Sequence, residues 1–101
     1  MNIKKLIDGN YLNATIVNNE HQYNCIILNS GIVKPNKEGV EKLELLVEYN
    51  GRQLIYNPNR QSMINLSQKW GLDTINWIGK LFVIKTQVMQ NGKEGIIAET
   101  L

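Results

Sequence analysis

Leu43-Glu44-Leu45-Leu46-Val47-Glu48-Tyr49-Asn50-Gly51-Arg52-Gln53-Leu54-Ile55-Tyr56-Asn57-Pro58-Asn59-Arg60 decides how this chain folds. Leu43, Leu45, Val47 and Tyr49 alternate with Glu44, Leu46 and Glu48, which is the period of a strand with unlike faces. Asn50-Gly51 then reverses the chain, because this pair tolerates positive φ at both central positions of a type I′ turn. A two-residue turn fixes the register. Tyr49 opposes Arg52, Val47 opposes Leu54 and Leu45 opposes Tyr56, so Leu45, Val47, Leu54 and Tyr56 should share the core face. Glu48 with Gln53, Leu46 with Ile55 and Glu44 with Asn57 fall on the opposite face.

Pro58 stops the second strand and suits the first turn of a helix. Asn57 or Asn59 can serve as its N-cap, worth about 1 kcal/mol. Met63, Leu66 and Trp70 follow at spacings of three and four, with Ile64 at the flank. Gly71 ends the helix. Asp73-Thr74 can cap a further short turn carrying Ile75, Trp77 and Ile78, and Gly79-Lys80 leads into Leu81-Phe82-Val83-Ile84. That run is apolar on both faces and should be a central strand. Asn91-Gly92 makes a second hairpin turn before a closing strand from Gly95 to Leu101.

The first third of the chain is less sharply patterned. Leu12 to Val17 alternates and reads as a strand, and Gln22 to Leu28 as a second extended run. The two are expected either as a hairpin or as one long bent strand with a bulge. Residues Asn29 to Val40, punctuated by Gly31, Pro35 and Gly39, read as a loop. The expected whole is mainly β, a small antiparallel OB-like barrel with one short helix between strands 3 and 4, as a single domain over residues 1–101.

Composition bounds the function. The chain has 101 residues, 43% hydrophobic and 20% charged, as a folded globular domain does. Its net charge of +2 permits a polyanionic partner without arguing for one. The single cysteine, Cys25, excludes an internal disulfide and fits a reducing, cytoplasmic setting. Its apolar neighbours mark it as a buried, inert thiol. Neither an apolar run of membrane-span length nor a signal-type apolar stretch after Met1-Asn2-Ile3-Lys4-Lys5-Leu6-Ile7-Asp8 is present, so no membrane partner is expected. Fourteen Asn and thirteen Ile suit an AT-rich coding genome.

Catalytic groups are sparse. The one histidine, His21, sits in an expected polar turn, and one His with one Cys cannot assemble an ordinary zinc site. No glycine-rich phosphate loop precedes the helix. Glu41, Glu44 and Glu48 are the sole carboxylate cluster, and two of them fit the solvent side of a hairpin. A non-enzymatic protein without metal or cofactor is expected.

Two binding surfaces compete. Basic residues near loops, interleaved with aromatic rings, suit single-stranded nucleic acid held by phosphate contacts and base stacking. Lys34, Lys37, Arg52, Arg60, Lys80 and Lys85 would hold phosphates, and Tyr49 and Trp77 would stack. Tyr56 and Trp70 are expected in the core. The outer hairpin face, with Leu46 and Ile55 between Glu44 and Glu48, suits instead a protein partner or a second copy, unless the N-terminal segment covers it.

The stretch from Leu54 to Lys80 resembles a group of small, largely uncharacterised OB-like proteins of bacteriophages and related mobile elements. There, an asparagine box closes a strand, a short helix follows, and then come tyrosine-glycine-aspartate-threonine, tryptophan and glycine-lysine. The matching residues here are Ile55-Tyr56-Asn57-Pro58-Asn59, Trp70-Gly71-Leu72-Asp73-Thr74 and Trp77-Ile78-Gly79-Lys80, with Leu12-Asn13-Ala14-Thr15-Ile16 as a similar first strand. Trp70 replaces the usual tyrosine and Pro58 interrupts the box. The resemblance covers about half the chain and implies binding linked to DNA replication or metabolism, not catalysis.

Overall fold

A computed structural model describes residues 11–35 and 37–101; the charged start Met1–Asp8 and Asn36 lie outside them. The described chain is mainly antiparallel β sheet with two helices. In chain order these are α1 (Ala14–Glu20), β1 (Asn24–Ile27), β2 (Ile32–Pro35), β3 (Glu41–Tyr49), β4 (Arg52–Tyr56), α2 (Arg60–Trp70), a 3-10 turn (Thr74–Trp77), β5 (Leu81–Val88) and β6 (Glu94–Thr100).

The β3–β4 hairpin forms in the register its turn dictates, from Tyr49 opposite Arg52 to Leu45 opposite Tyr56. Asn50 and Gly51 take φ values of 50° and 80°, the left-handed conformation that lets a two-residue loop follow the twist of the strands. Leu45, Val47, Leu54 and Tyr56 are all buried. Each of the three aliphatic side chains stabilises the fold by about 1.5–3 kcal/mol relative to exposure.

β3 is the strand on which the sheet is assembled. It pairs with β4, with β1 through Cys25 opposite Tyr49, and with β2 through Ile32 opposite Glu44. The Leu28 amide donates to the Leu46 carbonyl (2.8 Å), and the Leu46 amide donates to Oδ1 of Asn29 (3.0 Å). The segment joining β1 to β2 therefore stays against the same edge of β3, as a bulge in one bent strand. Gly31 is required there: its φ is 81°, and a Cβ would lie 2.8 Å from the Glu44 carbonyl oxygen. β5 pairs with β1, and β6 with β5, to give the order β4-β3-β1-β5-β6.

Four expectations need correction. The sheet is not closed into a barrel, since β4 and β6 do not pair with each other. The longer helix lies between the fourth and fifth strands, not the third and fourth, because β2 forms within the expected loop and adds a strand ahead of the hairpin. Residues Asn29 to Val40 are not all loop. β2 has no buried position, so alternation gave no sign of it; Val33 meeting Leu43 and Lys34 pairing with Glu44 favour its contact with β3, against the repulsion of Lys34 opposite Lys42. Lastly, Leu12 to Val17 is not a strand. The Asn13 side chain accepts from the Ile16 amide (3.0 Å) and starts α1, which buries Ala14 and Val17, three apart on one face. Capping and burial override the strand preference of Thr15, Ile16 and Val17.

The two edges left by the open sheet are covered differently. On β4, Tyr11 forms a parallel bridge to Ile55, and the Leu12 amide donates to the Ile55 carbonyl (2.8 Å). On β6, α2 supplies side chains. Asn59 caps this helix by accepting from the Ser62 amide (2.8 Å), and Gly71 ends it. One stripe of α2 is apolar, with Leu66 fully buried and Trp70 packed against the core. The adjacent stripe is polar. Ser62 Oγ accepts from the Ala98 amide (2.9 Å), Asn65 Nδ2 donates to the Ala98 carbonyl (3.0 Å), and Lys69 Nζ donates to the Leu101 carbonyl (2.8 Å).

Ser62 is fully buried, so its removal orphans a buried N–H. Ser62→Ala should cost about 1–3 kcal/mol in denaturant unfolding, and should speed hydrogen exchange at the Ala98 amide. Unchanged stability and exchange would show that this edge does not need the helix.

Candidate functional site

The basic and aromatic residues expected to hold nucleic acid are spread over six different elements and, for Lys37 and Lys80, two connecting segments. Lys34, on β2, pairs with Glu44 at 3.6 Å, and Lys85, on β5, pairs with Glu99 at 2.7 Å. Arg52 opens β4 and meets the Glu20 carboxylate at the end of α1. Lys37, Arg60 and Lys80 are exposed and have no ion pair among the described residues. Arg52 and Arg60 flank β4 at opposite ends, so these cations do not converge on one spot.

Tyr49 and Trp77 are not stacking platforms in this fold. Tyr49 is fully buried and donates its hydroxyl proton to the Gln22 carbonyl (3.0 Å). Trp77 is 3% exposed, and its Nε1 donates to the Gly71 carbonyl (3.0 Å), tying the 3-10 turn to the end of α2. Adjacency to a turn suggested exposure; in both cases a side chain reaching inward to an unmatched carbonyl decides the opposite. Tyr56, Phe82, Trp70 and Trp77 instead form a chain of ring contacts beneath α2, with centroids 5.6–6.4 Å apart. The core assignments of Tyr56 and Trp70 agree with this. The exposed rings are instead Tyr11 and Tyr23, at 39% and 47%, neither of them assigned to stacking.

The sheet does bring Leu46 and Ile55 together, as cross-strand neighbours on the outer face. Both are half-buried. The register extends this face across further strands: Glu48 opposes Ile26, Ile26 opposes Leu81, and Val83 lies one pleat further along β5. Ile55, Leu46, Ile26, Leu81 and Val83 thus form an aliphatic stripe crossing four strands. Glu44 and Glu48 lie along it on β3, and Lys85 lies beyond it on β5. Tyr11 reaches over one end, its hydroxyl 3.3 Å from Glu44 Oε2. The sequence signal for the wider stripe was the runs Ile26-Ile27-Leu28 and Leu81-Phe82-Val83-Ile84, apolar at consecutive positions and so apolar on both faces.

Depressions on the surface carry few groups able to move protons. One, about 870 Å³, lies between the start of α2 and the β5–β6 loop, lined by Asn59, Arg60, Gln61, Ile64, Met89, Gln90 and Asn91. A smaller one of about 350 Å³, on the other flank of α2, is almost wholly apolar. Neither contains a carboxylate, histidine or cysteine. Among the described residues no three His, Cys, Asp or Glu side chains are grouped to hold a metal ion, and no helix is long and apolar enough to cross a membrane.

Two titratable groups have environments with measurable consequences. Burial pushes the Cys25 thiol up to about 12. The thiolate is the nucleophile, so this site is inert at neutral pH. Cys25 should resist iodoacetamide in the native protein and react on unfolding; rapid native labelling would show that β1 opens. The Glu20 carboxyl is held below its ordinary 4.5, first by the Asn50 side chain donating to it at 2.7 Å and then by Arg52, with desolvation opposing both. The folded chain thus binds this proton more weakly than the unfolded chain. Its contribution to stability is present above pH 4.5 and is lost as pH falls through the lowered value. Unfolding midpoints should drop on acidification through this window, and less steeply in Glu20→Gln. Identical profiles would mean that the clamp adds nothing.

Comparison of this chain with models of protein families, with curated proteins and with solved structures finds no match.

Proposed function

We propose that this protein is a non-enzymatic interaction module that pairs with a second copy of itself through the outer face of its sheet. The observation that carries the reading is the aliphatic stripe from Ile55 through Leu46 and Ile26 to Leu81 and Val83. A sheet face turned to water alone would alternate to polar residues at these positions. A two-fold axis running along β1 through the stripe sets β3 of one copy against β5 of the other, the self-complementary arrangement of isologous dimers. The charges beside the stripe suit it: Glu48 on β3 is acidic and Lys85 on β5 is basic, so opposite signs can face across the axis.

The fold behind this surface we read as OB-like. The order β4-β3-β1-β5-β6, with α2 between the β3–β4 and β5–β6 hairpins, is supported as an OB-type arrangement opened between β4 and β6. Single-stranded nucleic acid, in viral or mobile-element DNA metabolism, is the second reading. Of the basic residues named for phosphate contacts, Lys37, Arg60 and Lys80 are exposed without an ion pair among the described residues, which favours it.

One pair of measurements separates the two. Sedimentation or light scattering should give a dimer at micromolar to millimolar concentration, and Leu46→Asp should make it a monomer with its thermal unfolding intact. A native chain that stays monomeric throughout would overturn self-association. A labelled oligonucleotide bound tightly at low salt, with affinity falling steeply as salt rises, would establish the second reading in its place.

A further inference from the structure

The apolar depression on the outer flank of α2 is built by local constraints distinct from those of the sheet face. Gly71 leaves the helix with φ 91° and ψ 175°, which directs Leu72 away from the core. Asp73 Oδ1 then accepts from the Ile75 amide (3.1 Å), and Thr74 Oγ1 donates to the Ser30 carbonyl (2.7 Å). These bonds fix the turn on both sides of its bend, and Leu72 stands 91% exposed at the rim. Leu43, Met63, Ile64 and Trp77 complete the apolar wall, with a volume of about 350 Å³. The sole charged residue in the lining is Arg60, exposed and without an ion pair among the described residues.

A leucine held in water beside a concave apolar surface costs free energy that a partner recovers by covering it. The single cation fixes the chemistry of that partner. We propose that this groove docks an acidic amphipathic helix of another protein, its aliphatic residues seated between Leu72 and Met63 and a carboxylate paired with Arg60. Helices dock in this way by presenting apolar anchors at i, i+3, i+4 and i+7 to a hydrophobic groove. Charge complementarity at the rim selects among such helices more than it tightens any one of them. Arg60 therefore favours an acidic over a basic amphipathic helix, and nucleic acid has no counterpart for the aliphatic wall.

The test uses the full chain and two labelled synthetic peptides of roughly four turns, with leucines at the spacing of a docking helix. One carries glutamates on its flanks, the other lysines. Fluorescence polarisation should show the glutamate peptide binding and the lysine peptide not. Leu72→Asp should weaken the glutamate peptide at least about tenfold, roughly 1.4 kcal/mol. Arg60→Glu should reverse the preference between peptides. Both side chains are exposed, and unchanged thermal unfolding of each variant shows that the fold is kept. Leu46→Asp, on the far sheet face, should leave peptide binding intact, so the outcome is separable from self-association. Failure of the glutamate peptide to bind, or binding indifferent to Leu72→Asp and Arg60→Glu, would overturn the proposal.

Discussion

The backbone of Ala98 sets the terms for the rest of this molecule. Its N–H and C=O point outward from β6, on a sheet that curls but does not close, and a buried edge cannot leave them unmatched. A further strand would answer them with its own backbone. Here Ser62 and Asn65, one turn apart on α2, supply the acceptor and the donor. This demand fixes both the rotation and the height of the helix. With α2 so placed, Leu66 enters the core and Trp70 meets Phe82 and Trp77 edge to face. The groove beside Leu72 is the remaining flank of the same helix.

How much of this could be read from residues depends on how local the cause was. The β3–β4 hairpin was legible in full, because Asn50-Gly51 and the alternation around it fix turn, register and core face together. The start of α2 was legible as Asn59 and a stripe at helical spacing, whereas Pro58 precedes the cap and lies outside the first turn it was expected to occupy. Its polar stripe was visible too, as Ser62, Asn65 and Lys69 beside Met63, Leu66 and Trp70, but its meaning lay in a strand more than thirty residues away. β2 was not legible, since all four of its residues are exposed and nothing alternates. α1 was misread because three β-branched residues in a row suggest a strand, whereas a single cap and two buried positions decide for a helix.

The candidate site divides along the same line. Leu46 and Ile55 came from register and stand where the register puts them. Tyr49 and Trp77 were assigned from proximity to turns, and proximity says nothing about which way a long side chain points. The turn on which a likeness to bacteriophage and mobile-element proteins was expected has structural uses for its distinctive residues: Gly71 bends the chain, Asp73 caps, Thr74 ties to Ser30 and Trp77 fills the core. A sequence pattern can therefore be specific in spacing while its residues serve the fold.

Asn29 gives the sheet a mechanical joint. Its one side-chain oxygen accepts from Gly31 and from Leu46, holding the strand together where backbone pairing is interrupted. Beyond it, β2 and the first half of β3 form a two-stranded lever with every β2 residue exposed. A force on the tip of that lever reaches the core through β3 itself, the Asn29 amide and the Thr74–Ser30 tie. The ribbon can thus be lengthened, shortened or bent from Ile32 to Leu43 while the five strands behind the joint keep their register.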